Sequence, residues 1–371
     1  MARKKNGRTK YFDYSLLFIL IFLICFGLVM LYSSSAYDAQ DTFGDPAHYL
    51  KKQMLASGLG LVGMFVISRI DYRIWKRMKW LAYGVALALC TAVIFVGIEH
   101  NNSRRWLGVG GFEFQPSEFA KLAVIVFFAS VISDRPKSMS KFKNVIKVGV
   151  TILPIFGVIA YNNLSTAIII MGIAFAMLFV SSPKYMQFFA IGGAGVGAII
   201  LFLTTAGYRS NRVKIWRNPE NYEKGYQTLQ GLYAIGSGGL FGKGLGNSMQ
   251  KLGFVPEAPN DMIFSIICEE LGLFGAVCLI MLFLLMIWRF MVIANNARDL
   301  FGSLLVTGIM AHIAIQVVLN IAVVTNTIPN TGVTLPFISY GGTSVVFLMA
   351  EMGLALAVSR GIAFEPETVE R

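Results

Sequence analysis

The feature that most constrains this chain is the recurrence of apolar runs of membrane-crossing length, separated by short connections that carry most of the charge. A helix needs about 20 predominantly apolar residues to cross a bilayer. Runs at about 15–32, 54–68, 80–98, 119–133, 145–161, 164–182, 185–206, 261–288, 300–324 and 333–358 predict an all-α polytopic membrane protein with about ten transmembrane helices. Composition agrees, since 56% of the residues are hydrophobic and only 14% are charged, outside the range of a soluble domain.

A net charge of +12 would suit nucleic acid, but the basic residues fall in clusters between the apolar spans, so the membrane accounts for them and no nucleic acid partner is expected. The N-terminus, the segments 69–79 and 134–147, Lys184, Arg289, Arg298 and the C-terminal end carry 20 of the 32 Lys and Arg residues. That side is expected to be cytoplasmic, with both termini inside and the chain crossing the membrane many times. The first run follows MARKKNGRTK and resembles a signal peptide in outline, but 18 apolar residues suit a retained helix better. The expected organisation is one transmembrane domain over 1–371: a basic cytoplasmic N-terminus at 1–14, one long extracytoplasmic loop at 206–260 between helices 7 and 8, and a cytoplasmic tail at 359–371. Within the loop, Tyr226, Leu229 and Tyr233 at helical spacing predict a short helix on the membrane surface. The four cysteines lie in apolar runs without metal-ligand spacing and read as buried hydrophobes.

Residues that could carry chemistry gather toward the outer face. Asp261 opens an apolar run containing Glu269 and Glu270, and carboxylates in such a segment are costly unless they face a protein interior or a site. Asn260 or Asp261 would also serve as the helix N-cap. Glu269 lies nearer the Asp261 face than Glu270 does. Pro116 starts a helix on which Glu118 and Lys121 stand three residues apart, either as a structural pair or as part of a site. Arg209, Arg212, Lys214 and Arg217, with Arg104 and Arg105, suit phosphate oxygens or anionic lipid headgroups. The glycines of GLFGKGLG (239–246) lack the spacing and the Ser or Thr of a phosphate-binding loop, so no nucleotide is expected. His312, Gln316 and Asn320 form a polar stripe suited to interhelical hydrogen bonds, as is Glu351. Residues 325–344 return to the outer face as a shaped wall or re-entrant turn.

Four segments together resemble one family: FQPSEFAKL (114–122), GYQTLQGLYAIGSGGLFGKGLG (225–246), VPEAPNDMIFSIICEELG (255–272) and PNTGVTLPFISYGGTS (329–344). They are similar to the SEDS proteins of shape, elongation, division and sporulation, and the resemblance runs through nearly the whole chain. It implies ten transmembrane helices and the polymerisation of lipid II, an undecaprenyl-pyrophosphate-linked disaccharide peptide, into peptidoglycan strands outside the membrane. It also implies a class B penicillin-binding protein as crosslinking partner, and other division or sporulation membrane proteins. By motif, Asp261 matches the family's essential aspartate, and Glu118 and Lys121 match its conserved pair. The chain departs from the family at NNLST (162–166), where many members have Pro-Asp, and at Pro259-Asn260, where members commonly have His-Thr. These features resemble the division and sporulation branch more than the elongation branch.

The chemistry such a family performs needs a hydroxyl made nucleophilic and a pyrophosphate stabilised as it leaves. Asp261 is expected to act as general base, while Lys121, the arginines and a divalent cation, Mg or Mn, balance the pyrophosphate. Glu118 is expected to orient Lys121 or share the cation. A lipid II flippase, and a scaffold for a class B penicillin-binding protein, are the alternatives. Clustering of ionisable residues at one face favours the enzyme.

Overall fold

The computed structural model describes residues 11–100, 103–109, 112–186, 188–189, 192–193, 197 and 214–362. Among them, eight helices are long and apolar enough to cross a membrane, and a pair bent by 43°, Phe142–Val150 and Leu153–Asn162, supplies a ninth when taken as one span. The expected span 185–206 falls largely outside the described residues. In chain order the helices are α1 (Tyr14–Phe43), α2 (His48–Arg69), α3 (Arg73–Arg77), α4 (Lys79–Val96), α5 (Pro116–Asp134), α6 and α7 (the bent pair), and α8 (Leu164–Ser181). After them come α9 (Tyr226–Gly238), α10 (Ile263–Asn295), α11 (Leu300–Val324) and α12 (Gly342–Ser359).

Burial sorts these helices into layers. The most apolar stretch of α5 is 72% buried and those of α11 and α12 are 67% buried, whereas those of α2 and α4 are 22% and 17% buried. Helices α5, α11 and α12 therefore form the centre, and the exposed apolar side chains of α2 and α4 face lipid rather than water. The centre is also where the polar residues of the spans are found: Glu118, Lys121, His312, Gln316, Asn320 and Glu351 are all buried. Polar groups in a bilayer find partners in the protein interior because lipid offers none.

Several elements differ from expectation. Helix α1 continues to Phe43, where Gly44 ends it in the left-handed conformation at φ 70. The last span begins at Gly342 rather than 333, leaving 325–341 as an irregular segment. Three short strands form an unexpected antiparallel meander, β1 (Ile98–His100), β2 (Ser103–Val109) and β3 (Phe112–Phe114), in the order β1-β2-β3. Helix α9 does not simply lie on a surface. Its Tyr226 and Tyr233 are exposed, while Thr228, Gly231, Ala234 and Gly238 are buried. A Cβ at Gly238 would lie 2.0 Å from the Cys268 carbonyl oxygen of α10, so the small-residue face is what permits the close approach.

Helix α10 is broken where the sequence shows one continuous apolar run. Gly272 adopts φ 67 and ψ −168, and the amides of Leu273 and Phe274 donate to the carbonyls of Gly239 and Leu240 at 2.9 and 3.0 Å. The break is held by the two carboxylates preceding it. Glu269 accepts from Lys243 Nζ at 2.7 Å, from the Ser248 hydroxyl and from the amides of Met249 and Gln250. Glu270 accepts from Lys251 Nζ at 2.8 Å and from the Ser33 hydroxyl of α1 at 2.7 Å. The glycine-rich segment is thus a clamp around the α10 break, which is its structural explanation. Glu269 and Glu270 serve this clamp and make no described contact with Asp261.

The ends of the bundle carry different chemistry. Asp13, at the start of α1, pairs with Arg289 at 2.7 Å, and its backbone amide donates to the Ser359 hydroxyl of α12 at 3.4 Å. The first and last spans therefore begin and end on one side, together with the Tyr72–Asp299 hydrogen bond of 2.8 Å. Asp299 also accepts from the Gly302 amide at 2.8 Å as the N-cap of α11. If the basic connections mark the cytoplasmic side, single cysteines replacing the exposed Ser140 and Asn247, in a chain freed of its native cysteines, should react from the inside and from the outside respectively. Labelling of Asn247→Cys only from the cytoplasm would invert the arrangement.

Candidate functional site

Asp261 lies just before α10, in the turn that follows Pro256 and Pro259. It does not cap the helix: Met262 is the N-cap residue and no side chain makes a cap hydrogen bond. Its carboxylate is buried and accepts from Gln227 Nε2 of α9 at 3.3 Å. Among the described residues no Lys or Arg pairs with it, although every other buried carboxylate has a cationic or imidazole partner. Burial, reinforced by the nearby Glu257, pushes its pKa up to about 7. A group with that value exchanges a proton near neutral pH, which an ordinary aspartate does not.

The backbone around Asp261 is fixed on two sides. Asn320 Nδ2 of α11 donates to the Asp261 carbonyl at 2.8 Å and to the Val333 carbonyl at 2.7 Å. The Ser339 hydroxyl donates to the Asn260 carbonyl at 2.6 Å, and the Tyr340 amide donates to the Pro259 carbonyl at 2.9 Å. Segment 325–341 therefore walls the Asp261 turn, tied to it by the Ser339 hydroxyl and the Tyr340 amide. Gly332, at φ 67, brings backbone close to the carboxylate: a Cβ there would sit 3.9 Å from Asp261 Oδ2. Ser165 Oγ holds the Thr331 carbonyl at 2.8 Å from the other flank. In the departing NNLST segment, Asn163 caps α8 by accepting from the Thr166 amide at 3.1 Å.

One turn deeper on α11 the second group is assembled. Lys121 Nζ and Glu118 Oε1, both on α5, are 2.9 Å apart and buried. Lys121 also lies 3.4 Å from Gln316 Oε1, and Gln316 is bonded to His312, which is in turn bonded to Glu351. Gln316 and Asn320 are four residues apart, a rise of about 6 Å on a helix. The Lys121 ammonium and the Asp261 backbone are thus both referred to one face of α11.

Of the expected arginines, Arg104, Arg105 and Arg217 lie among the described residues. Arg104 is on β2, where it faces Glu99 across the β1–β2 ladder and pairs with it at 3.5 Å. Arg105 is its neighbour on that strand, and no described contact links either to Asp261. The antiparallel register explains the diversion, because opposite charges on facing strand positions attract. Arg217 is exposed and follows Trp216, whose indole donates to the Asn326 carbonyl of the wall at 2.9 Å. Arg209 and Arg212 lie outside the described residues. Gln227 was not singled out as an Asp261 partner in the sequence. Its only signal was a polar side chain between the aromatic positions of α9.

No three His, Cys, Asp or Glu residues converge as a metal cage among the described residues. Glu118 Oε2 is nevertheless buried without a hydrogen-bond partner, although Ser344 faces that carboxylate. A divalent cation would fit only if substrate phosphate oxygens and water completed its shell, the usual arrangement for Mg.

The buried Glu118–Lys121 pair gives a stability test. Lys121→Met strands a carboxylate in the bundle and should cost about 3–5 kcal/mol, whereas Glu118→Gln combined with Lys121→Met should recover most of that loss. Thermal unfolding in detergent reads both. Equal loss in the single and double variants would show that packing, not charge, is at stake.

The family profile described as cell cycle protein, covering FtsW, RodA and SpoVE, matches residues 14–362. Stage V sporulation protein E of Bacillus subtilis is 39% identical over 354 residues, covering 94% of this chain and 97% of that protein. A probable peptidoglycan glycosyltransferase FtsW of Trichlorobacter lovleyi is 35% identical, covering 98% of this chain and 97% of its own. Among solved structures, a chain of a peptidoglycan synthase complex described for its coordination of polymerization and crosslinking aligns with a TM-score of 0.79 at 26% identity. It covers 94% of this chain and 98% of its own. The rod shape determining protein RodA of Thermus thermophilus aligns with a TM-score of 0.71 at 27% identity, covering 95% and 98%. The chain belongs to the FtsW/RodA/SpoVE family of cell cycle proteins.

Proposed function

We propose that this family member uses Asp261 as general base in joining lipid-linked peptidoglycan units. The protein is a multi-pass membrane peptidoglycan glycosyltransferase that polymerises glycan strands in division or sporulation. The substrate we assign is lipid II. The acceptor's 4-hydroxyl oxygen attacks C1 of the donor sugar, the bond from C1 to the pyrophosphate oxygen breaks, and the hydroxyl proton passes to Asp261. Undecaprenyl pyrophosphate departs with the electron pair.

The observation that carries this reading is that Asp261 is buried without a cationic partner among the described residues, with a pKa pushed up to about 7 by that burial. A carboxylate locked to a lysine is a poor proton acceptor, while an unpaired one whose pKa lies near the working pH is ionised in a large fraction of molecules and basic enough to take the proton. Lys121 contributes positive charge toward the pyrophosphate, and Glu118 orients it. Arg217, beside the wall segment, and Arg209 and Arg212 gather the anionic headgroup. The position of Arg104 and Arg105 on the meander gives them at most an accessory part. A divalent cation, Mg or Mn, arriving with the substrate would neutralise pyrophosphate charge, and Glu118 Oε2 is the protein oxygen left to face it. A class B penicillin-binding protein is the crosslinking partner we assign, with other division or sporulation membrane proteins around it.

Asp261→Asn keeps shape and a hydrogen bond to Gln227 while removing the base. Strand synthesis by the purified protein from lipid II in detergent should fall by about 10²–10⁴, with thermal stability little changed. Near wild-type polymerisation by the folded variant would sink the mechanism. Because detergent offers no compartments to cross, strand formation there also separates polymerase from flippase.

A further inference from the structure

The spans contain a buried polar string of which the proposed reaction uses only the Lys121–Glu118 end. Glu351 of α12 faces His312 Nδ1 with its two oxygens at 2.8 and 3.1 Å. His312 Nε2 is 2.9 Å from Gln316 Oε1, and that same oxygen is 3.4 Å from Lys121 Nζ, which pairs with Glu118. The string crosses from α12 through α11 to α5, and each of its five side chains is buried. Two hydrogen bonds would glue these helices together. Five aligned groups ending on an ammonium require more.

The donors and acceptors can be assigned. Gln316 Nε2 donates to the Thr334 carbonyl at 3.0 Å, so Oε1 is the atom turned toward His312 and Lys121. The reversed amide would set its NH₂ against the Lys121 ammonium and its oxygen against a carbonyl. Gln316 Oε1 is therefore an acceptor shared by two donors, and His312 Nε2 must carry hydrogen. One proton then lies between His312 Nδ1 and Glu351, whichever of the two holds it. With that proton the string is neutral: two carboxylates balance the ammonium and the shared proton. Lys121 commits one hydrogen to Glu118 and one to Gln316.

We infer that Gln316 is a positioning residue for Lys121, with its amide oxygen set by His312 and Glu351, so that α11 acts as a ruler between the ammonium and Asp261. The inference rests on the reading that Lys121 serves the pyrophosphate. Asn320 supplies the other end of the ruler, since its amide holds the Asp261 carbonyl at 2.8 Å. Both ends also grip the wall, Gln316 through Thr334 and Asn320 through Val333. A shift of α11 would therefore move base, cation and wall together.

The test compares Gln316→Met, which keeps length and removes the acceptor, in two backgrounds: the native chain, and a Glu118→Gln, Lys121→Met chain with no ammonium left to position. Strand synthesis from lipid II by purified full-length protein is followed with radiolabelled substrate. In the native background, kcat should fall by about 10- to 100-fold with KM changing less than about 3-fold, the pattern of an interaction made chiefly in the transition state. In the second background Gln316→Met should cost less than about 2-fold more, because residues acting through one another are not additive. An unchanged kcat in the native background, or the same fold loss in both, overturns the inference. If Gln316→Met does not fold, His312→Leu combined with Glu351→Gln, which removes the donor that holds Gln316 Oε1 without stranding a carboxylate, carries the same cycle with the same two decisive outcomes. The reading beneath it is tested separately by the Glu118→Gln, Lys121→Met chain alone. Wild-type polymerisation by that chain removes Lys121 from the chemistry, whatever Gln316 does.

Discussion

A carboxylate inside an apolar bundle must meet a positive group or give up its charge, and that requirement organises this protein. Asp13 meets Arg289, Glu118 meets Lys121, Glu269 meets Lys243, Glu270 meets Lys251, and Glu351 meets His312. Each pair joins segments distant in the chain or stiffens one helix, and each would leave an uncompensated charge if halved. Asp261 is the exception among the described residues. It is placed by contacts to its backbone and by one uncharged partner, Gln227, so its carboxylate remains chemically available.

The pairs at Glu269 and Glu270 explain how so apolar a helix can begin with a functional turn. They bind the glycine-rich segment 239–253 around Gly272, and the break there separates a short helix carrying Asp261 at its entrance from the long lipid-facing remainder of α10. Gly242 and Gly272 pack backbone on backbone, with a Cβ on Gly272 reaching 2.3 Å from the Gly242 nitrogen. Side chains at either position would push the clamp apart. The stability of the site thus depends on residues that never touch the substrate in the proposed reaction.

Much of this was legible in the sequence because the period and length of apolar runs report directly on membrane helices. The i, i+3 spacing of Glu118 and Lys121 placed them on one face, and the pair is found there. Position 261 was marked by a carboxylate that lipid would penalise. The break at Gly272 was not legible, since one glycine in an apolar run is compatible with an unbroken helix and the amides it frees are satisfied by Gly239 and Leu240, more than thirty residues earlier. The strands β1 to β3 are too short to register as periodic runs, and only the Asn101-Asn102 and Gly110-Gly111 pairs between them mark hairpins in the sequence. The arginines were grouped by charge alone, and charge does not reveal that a ladder sets Arg104 opposite Glu99. Nor could spacing show that His312, Gln316 and Lys121 share one string, because that joins residues 195 positions apart.

If Asp261 accepts the proton, its ionisation can be followed directly in the pH dependence of strand synthesis. Burial raises the folded-state pKa to about 7, so below that pH the group is protonated and the base is absent. The measurement is kcat/KM for lipid II between pH 5.5 and 8.5 with the purified protein at constant ionic strength. The account predicts a rate rising about tenfold per pH unit at the acid end and levelling off above about 7. A flat profile across that range, or the same inflection retained in Asp261→Asn, would contradict it.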